Sequence, residues 1–258
     1  MLGQRLNHLP EVVKNLLIIN GLLFLATMYF DGQYGKIDLD NLFALHQFQS
    51  PDFKPHQLIT HMFMHGSVSH ILFNMFGLWM FGSPLEQMWG KKKFLFFYFS
   101  SGLGAAGLQL LANYLEIQSV FSVLNLNGVS WNSFNDILNN GSYDMNILNY
   151  VDKNDLTNAY LLFNTTLVGA SGAIYGILVA FAFLFPNSEL MLIFLPIPIK
   201  AKYFVPGIIL MDLFSAFTGV SIFSPSNTAF YAHVGGALTG FVMLWYWKKN
   251  QFNDNRWN

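Results

Sequence analysis

The sequence predicts an all-α polytopic membrane protein, on the basis of its composition and its length. Its residues are 53% hydrophobic and only 10% charged, whereas about a quarter of the residues in a soluble domain are charged. One crossing of the ~30 Å hydrocarbon layer takes about 20 apolar residues, so the 258 residues have room for about six spans. The net charge of -1 gives no reason to expect a nucleic-acid partner, and the lack of cysteine excludes disulfides and cysteine nucleophiles.

The first three spans are predicted at residues 16–30, 68–81 and 94–115. No small-residue cleavage site follows the first span, which is therefore expected to be an uncleaved anchor. A polar loop at residues 31–60 separates it from the second span, which extends to Met88 at its furthest. Glycines in the third span would weaken a soluble helix, but they suit close helix packing in a bilayer.

Residues 116–160 differ in composition from the apolar stretches around them. Ten of them are asparagine and five are Asp or Glu, and Lys153 is the only base. We interpret this segment as an extracytoplasmic insertion between the third and fourth spans. The sequence does not reveal its function, for which a solvated lid or spacer is the simplest explanation. Within it, Asn127-Gly128 and Asn140-Gly141 are turn signals that predict small hairpins. The chain as a whole, residues 1–258, is expected to form a single membrane domain.

Three more spans are predicted at residues 169–185, 204–220 and 229–247. Residues 190–200 are also apolar, but Pro196 and Pro198 interrupt them, which favours an interfacial connector. Six spans place both termini on the same side of the bilayer.

The distribution of Lys and Arg orients these spans. Ten of these residues would lie on the side that holds the termini: Arg5, Lys14, Lys91, Lys92, Lys93, Lys200, Lys202, Lys248, Lys249 and Arg256. Only three would lie on the opposite side: Lys36, Lys54 and Lys153. Cytoplasmic loops are enriched in these residues, so both termini are predicted to be cytoplasmic. The insertion and the start of the fourth span then face the other side.

Ser171 opens the fourth span within a run of small residues. Gly172 and Gly176 form a small-residue face for contact with another helix, while Tyr175 shares a second inward face with Ser171. By itself this run of small residues is explained as a helix-contact surface. Other residues of the chain, described below, favour the interpretation that the Ser171 hydroxyl is a nucleophile.

His233 opens the sixth span, which enters the bilayer from the same side as the fourth. Gly236 and Gly240 follow on the same helical face, so a close approach to the fourth span is sterically possible. An imidazole there could take the Ser171 proton and later protonate a leaving amine. An interfacial or capping histidine is the alternative.

His70 and Asn74 lie four residues apart on one helical face at the outer end of the second span. Both could donate hydrogen bonds to a negatively charged oxygen, as could the backbone N–H of Ser171 at a helix start. His61, His65 and His70 also raise the possibility of a metal site. No carboxylate lies near them in the sequence, so no metal and no cofactor is expected.

These residues together resemble the rhomboid family of intramembrane serine proteases. The similarity rests on three motifs in order, namely His65-x4-His70-x3-Asn74, Gly169-x-Ser171-Gly172-x2-Tyr175 and Ala232-His233-x2-Gly236-x3-Gly240, with Glu86 and Trp89-Gly90 similar to the family's second loop.

The resemblance implies a six-transmembrane-helix rhomboid fold with a Ser171–His233 catalytic dyad. It implies that Tyr175 packs under the imidazole, that His70, Asn74 and the Ser171 amide bind an oxyanion, and that the remaining motif residues support the site: Gly169, Gly172, Gly236, Gly240 and His65. Its substrates would be transmembrane helices in the lipid bilayer, cut near the outer face after local unwinding. The expected location is the cell (plasma) membrane, and the sequence does not determine the oligomeric state.

The sequence departs from the family pattern at two places. No Trp or Arg occurs between Asp31 and His70, where many members carry a Trp-Arg pair, which puts the anchoring of the first outer loop in doubt. Asp212 is an acid near the middle of the fifth span, a helix that the family often uses as part of the substrate gate. Its role stays unassigned.

Two other functions are compatible with parts of the sequence. A catalytically inactive rhomboid-like protein that binds transmembrane clients would have the same fold, but both Ser171 and His233 are present, which favours an active protease. A transporter would need paired ionisable groups across the bilayer, and Asp212 is the only carboxylate within the predicted core spans.

Overall fold

The computed structural model describes residues 9–33, 38–192, 195–218 and 229–250. Helices make up most of it, with one short pair of strands. In chain order the elements are α1 Glu11–Gln33, α2 Leu39–Phe43, α3 Gln57–Thr60, a 3-10 turn His61–Phe63, α4 Val68–Gly77, a π-helical turn Leu78–Gly82, α5 Ser83–Trp89, α6 Lys91–Leu126, α7 Trp131–Asn140, a 3-10 turn Met145–Asn149, α8 Lys153–Asn164, α9 Ser171–Leu184, β1 Glu189–Leu192, β2 Leu195–Lys200, α10 Ala201–Thr218 and α11 Phe230–Asn250.

Each of the six predicted spans coincides with helix in the described part of the chain. The first, third, fourth, fifth and sixth correspond to α1, α6, α9, α10 and α11, and the second corresponds to α4, the π-helical turn and α5 in succession. Glu11–Phe30 of α1 and the whole of α6 are long and apolar enough to cross a membrane, and α9 is a shorter apolar helix. The predicted end of the fifth span, residues 219–220, lies outside the described residues.

Helix α9 lies against both α6 and α11, and small residues make this close contact possible. A Cβ added to Gly240 would lie 2.8 Å from the Cα of Gly176, and one added to Gly236 would collide with the Gly172 backbone. On the other side, Gly172 faces the Ala105 side chain of α6. The small-residue faces predicted for the fourth and sixth spans therefore do contact each other, because only hydrogen atoms separate the two backbones.

The Asn-rich segment is helical, and it carries a hydrophobic core of its own. Helix α6 has 36 residues, roughly 54 Å at ~1.5 Å per residue, so its second half extends well beyond the predicted span. This half packs against α7 and α8 through a separate set of buried apolar side chains: Ile117, Val120, Leu124, Phe134, Ile137, Leu138, Ile147, Leu156, Ala159 and Phe163. The segment is thus a small helical subdomain.

The two turn signals of this segment do turn the chain, but the prediction of hairpins was wrong. Gly128, with φ 85°, follows the end of α6, and Gly141, with φ 69°, ends α7 in the left-handed conformation that glycine adopts without steric cost. An Asn-Gly pair specifies only a positive φ. Whether strands or helices flank it depends on the neighbouring residues, which here bury apolar side chains at helical spacing.

The expectation of a purely α-helical chain was also wrong between α9 and α10. Strands β1 and β2 pair antiparallel there, with Glu189 opposite Lys200 and Leu190 opposite Ile199. Proline lacks a backbone N–H, but a two-stranded ribbon has one unpaired edge on each strand, where that loss is tolerated. The prolines of this segment therefore excluded a helix without excluding a strand.

The polar loop that follows α1 is held together by the amide of Gln57, which is fully buried. Its Oε1 accepts a hydrogen bond from the Lys54 N–H at 3.0 Å, and its Nε2 donates to the carbonyl oxygens of Asn41 and Asp52, each at 3.1 Å. One side chain thus ties three separate points of the loop to one another. This network holds the loop together internally, in a loop that lacks the Trp-Arg pair of many family members.

Glu86 in α5 caps the amino end of α1. Its carboxylate is buried and accepts hydrogen bonds from the backbone N–H groups of Val12 at 2.9 Å and Val13 at 2.8 Å. The first N–H groups of a helix have no partner within the helix, and the helix dipole favours a negative charge there. Glu86 therefore fixes α1 against α5.

We expect Glu86→Ala to lower Tm by roughly 5–15 °C in detergent, because hydrogen bonds to a charged group contribute about 1.5–3 kcal/mol each. Glu11→Gln is the matched control at the same helix end, since Glu11 forms an exposed ion pair with Lys91. The control should leave Tm nearly unchanged. Equal Tm for Glu86→Ala and the unmodified protein would show that the cap does not stabilise the fold.

Candidate active site

Ser171 and His233 form a hydrogen-bonded pair where α9 and α11 begin. His233 Nε2 lies 2.9 Å from Ser171 Oγ, and on its other side His233 Nδ1 lies 2.9 Å from Asp212 Oδ2 of α10. If Nδ1 carries the imidazole proton, it donates to the carboxylate, and Nε2 accepts the proton of the Ser171 hydroxyl. Three helices therefore contribute one side chain each to a continuous Ser–His–Asp array.

Tyr175 fixes the plane of the imidazole. Its ring stacks on His233 with centroids 4.1 Å apart and planes 11° from parallel. Tyr175 lies one helical turn after Ser171, so α9 supplies both the hydroxyl and the surface beneath the imidazole. His233 is 8% exposed, and these contacts leave its ring little freedom to rotate.

His70 and Asn74 of α4 face the backbone just before Ser171. A Cβ built on Gly169 would lie 2.6 Å from His70 Nε2 and 3.5 Å from Asn74 Nδ2. Gly169 also has φ 114°, a conformation that side chains other than hydrogen rarely tolerate. Both steric reasons explain why glycine occupies this position, two residues ahead of the hydroxyl.

The Asn74 amide has unused hydrogen-bonding capacity. Asn74 is buried, and within the described part of the chain its Nδ2 has no hydrogen-bond partner. Buried donors are nearly always paired, so one without a partner among the described residues, next to the backbone that leads into Ser171, fits a group that receives its acceptor from a bound ligand. The amide is oriented by α4, whose first turn is capped by Ser67, with Oγ accepting the His70 backbone N–H at 3.1 Å.

His65 supports His70 by contact, since the two rings lie edge to face with centroids 5.0 Å apart. Burial lowers the pKa of His65 to about 4, so its imidazole is neutral at pH 7. The Nδ1 of His61 lies 2.8 Å from the Gln57 carbonyl oxygen. Among the described residues, no three His, Asp or Glu side chains lie together so that they could hold a metal ion, the three histidines considered above included.

The polar loop that follows α1 reaches this site through backbone contacts. The Gly169 N–H donates to the His61 carbonyl oxygen at 2.9 Å, and Leu45 exchanges backbone hydrogen bonds with Leu167. The loop therefore positions the residues that lead into α9. None of these pairings is visible in the sequence, because they join segments more than 100 residues apart.

Sequence reasoning left Asp212 without a role, although it carried a signal. A lone carboxylate inside an apolar span is unfavourable unless it is paired, so such a residue is a functional candidate by default. Its partner could not be identified from the sequence, because the rotation of α10 about its own axis decides which neighbour the carboxylate meets.

The sequence matches the rhomboid domain over residues 52–131 and 145–250, which is well over half of the chain. The chain belongs to the rhomboid family. The matched ranges contain every site residue described above, and the gap between them, residues 132–144, falls within the helical subdomain. As a rhomboid protein it is a membrane protein.

Several known proteins are similar to this rhomboid protein. It is 25% identical over 199 residues to Rhomboid protein 1, mitochondrial, of Saccharomyces cerevisiae, covering 74% of this chain and 42% of that one. It is 27% identical over 190 residues to the human Presenilin-associated rhomboid-like protein, mitochondrial, covering 73% and 36%. A shorter match, 40% over 47 residues, covers 18% of this chain and 24% of the Putative rhomboid protease YdcA of Bacillus subtilis.

The chain spans less than half the length of each of these relatives. The names of several relatives place them in mitochondria or chloroplasts. These comparisons support a membrane protein, but they do not support the plasma-membrane location expected from the sequence.

Proposed function

We propose that this rhomboid protein is an intramembrane serine endopeptidase that cleaves transmembrane-helix substrates. The observation that carries the proposal is the 2.9 Å contact between the Ser171 hydroxyl and the buried His233 imidazole. A serine hydroxyl is a weak nucleophile at neutral pH, and an adjacent imidazole that accepts its proton removes that limitation.

The proposed reaction follows the positions of the protons. As Ser171 Oγ attacks the carbonyl carbon of the scissile amide, its proton moves to His233 Nε2, which then donates it to the leaving amine nitrogen. An acyl-serine remains. Water then gives a proton to Nε2 and attacks the acyl carbon, and Nε2 returns the proton to Oγ as the carboxylic acid product leaves.

In both halves of this reaction the carbonyl oxygen becomes negatively charged. We propose that Asn74 Nδ2, His70 and the Ser171 backbone N–H donate hydrogen bonds to it. Support comes from the position of both side chains beside Gly169 and from the unpaired Asn74 donor. The N–H of Ser171 stands at a helix start, where it lacks a partner within the helix.

Cleavage of a single-span protein by purified protein in proteoliposomes tests the function directly. We expect two products that meet within or next to the transmembrane segment, identified by mass spectrometry, with Ser171→Ala as the inactive control. A panel of such substrates that stays intact, together with no labelling by a fluorophosphonate, would contradict the proposal. Binding of the intact substrates would then favour the client-binding alternative.

We expect His70→Ala and Asn74→Ala each to lower kcat by roughly 100- to 1,000-fold, because each removes one donor while others remain. KM and Tm should change little. Ser69→Ala is the matched control, since the exposed Ser69 hydroxyl of the same helix turn contacts Ser67. A lowered Tm with normal kcat in the folded fraction would instead make these residues structural.

We further propose that six helices cross the bilayer, with both termini on the cytoplasmic side and the helical subdomain on the other. The asymmetry of Lys and Arg supports this orientation. In a cysteine-free chain, Ser142→Cys should react with an impermeant thiol reagent on intact host cells, while Asn250→Cys should react only after detergent treatment. The reverse pattern would place the site at the opposite face.

A further inference from the structure

We infer that Asp212 is a positioning residue for His233: its carboxylate keeps the imidazole proton on Nδ1 and the bare Nε2 directed at Ser171. This inference rests on the proposed function, because it gives the Ser171–His233 pair a third member. The sequence motifs of the pair do not include Asp212, and the two-residue arrangement that they imply does not require it.

The first support is geometric. Asp212 Oδ2 lies 2.9 Å from His233 Nδ1, with the Asp and His side chains 9% and 10% exposed. Tyr175 stacks on one face of the same imidazole, with ring centroids 4.1 Å apart. The carboxylate at Nδ1 and the phenol ring over the face therefore hold the imidazole together.

The second support is the burial pattern of α10. Leu210 and Phe214 are exposed, whereas Asp212 and Ser215 are 7% and 3% exposed, so Asp212 lies on the buried side of the helix, where it meets His233 of α11. Burying a carboxylate in such surroundings is unfavourable unless hydrogen bonds compensate. The His233 Nδ1–H supplies such a bond, which compensates for the burial of the carboxylate and ties it to the imidazole.

The chemistry requires the tautomer that this contact selects. A neutral imidazole carries one proton, and only the form protonated at Nδ1 leaves Nε2 free to accept the Ser171 proton. When Nε2 takes that proton, the ring becomes an imidazolium that faces a carboxylate at Nδ1. The carboxylate stabilises this charge and keeps its own protonation state, and the proton on Nε2 goes to the leaving amine.

The competing explanation is that Asp212 only joins α10 to α11. In that case its loss would lower Tm, while the folded fraction would retain normal kcat and an unchanged imidazole. Two variants separate the explanations: Asp212→Asn removes the charge at constant size, and Asp212→Leu removes the acceptor for Nδ1–H. Ser215→Ala is the matched control, a buried polar residue one turn further along α10 whose Oγ donates to the Met211 carbonyl oxygen.

We expect Asp212→Asn to lower kcat by about 100-fold with KM nearly unchanged, because substrate binding does not involve the carboxylate. Asp212→Glu, which keeps the charge, should recover part of that loss. Ser215→Ala should retain the kcat of the unmodified protein. A fall of less than tenfold for Asp212→Asn, measured per active site, would overturn the inference.

Nitrogen-15 NMR of histidine-labelled protein gives a readout that does not depend on turnover. The His233 signals, assigned by their loss in His233→Gln, should show a protonated Nδ1 in the unmodified protein, and Asp212→Leu should abolish that state. An unchanged tautomer in Asp212→Leu would overturn the inference. If the unmodified protein neither cleaves nor labels, the proposed function fails, and the NMR result still decides whether Asp212 positions His233.

Discussion

Ser171→Ala is expected to abolish proteolysis, with kcat falling by at least about 10⁴-fold, because no other group at the site can form the acyl intermediate. The Ser171 Oγ is the hydroxyl hydrogen-bonded to His233. Labelling by a fluorophosphonate, which requires an activated hydroxyl, should disappear in the same variant. Tm should be nearly unchanged, since the substitution removes one oxygen atom.

Ser101→Ala is the matched control for this substitution. Ser101 is a fully buried serine of α6 that faces Gly176, one turn of α9 beyond Ser171, and its Oγ has no partner among the described residues. This variant should label and cleave normally. Full labelling of Ser171→Ala, or loss of labelling in Ser101→Ala, would remove Ser171 from the role of nucleophile.

His233→Ala is expected to reduce kcat nearly as far as Ser171→Ala, because the hydroxyl loses the base that accepts its proton. The double variant should be little worse than either single one, since residues that act as one catalytic unit are strongly non-additive. The measurement is kcat for both single variants and the double variant on one substrate, with the fraction of folded protein determined for each.

His56→Ala is the control, because His56 is exposed in the polar loop that follows α1, where its Nε2 lies 2.8 Å from the Leu42 carbonyl oxygen. It should retain activity. If the losses in the double variant multiplied, Ser171 and His233 would act independently, which contradicts a hydrogen-bonded pair. The distance of 2.9 Å between them would then have no catalytic meaning.

The site residues in three separate helices could be selected from the sequence because the relevant signals are local. Spacings of three and four residues determine which side chains share a helical face, and so Ser171 could be grouped with Tyr175, and His70 with Asn74. The matching small residues of the fourth and sixth spans predicted that these two helices approach each other. The structure shows that approach and places Ser171 within hydrogen-bonding distance of His233.

The sequence left open the structure of segments that depend on distant partners. Composition predicted an insertion at residues 116–160, but only the structure shows that apolar side chains bury one another there where α6, α7 and α8 meet. The prolines of residues 190–200 predicted an interfacial connector, and the pairing of β1 with β2 became visible only in the structure. Gln57 likewise has its role only through contacts with other parts of the first loop.

By itself the sequence determined that apolar helices dominate the chain, where they begin, and which polar side chains each one carries. Hydrophobicity and helical periodicity are properties of consecutive residues, so no other part of the chain is needed to predict them. The tertiary structure alone decided that Asp212 meets His233. That contact depends on the rotation of α10 and its distance from α11, which are set by the combined contacts of many side chains across the helix bundle.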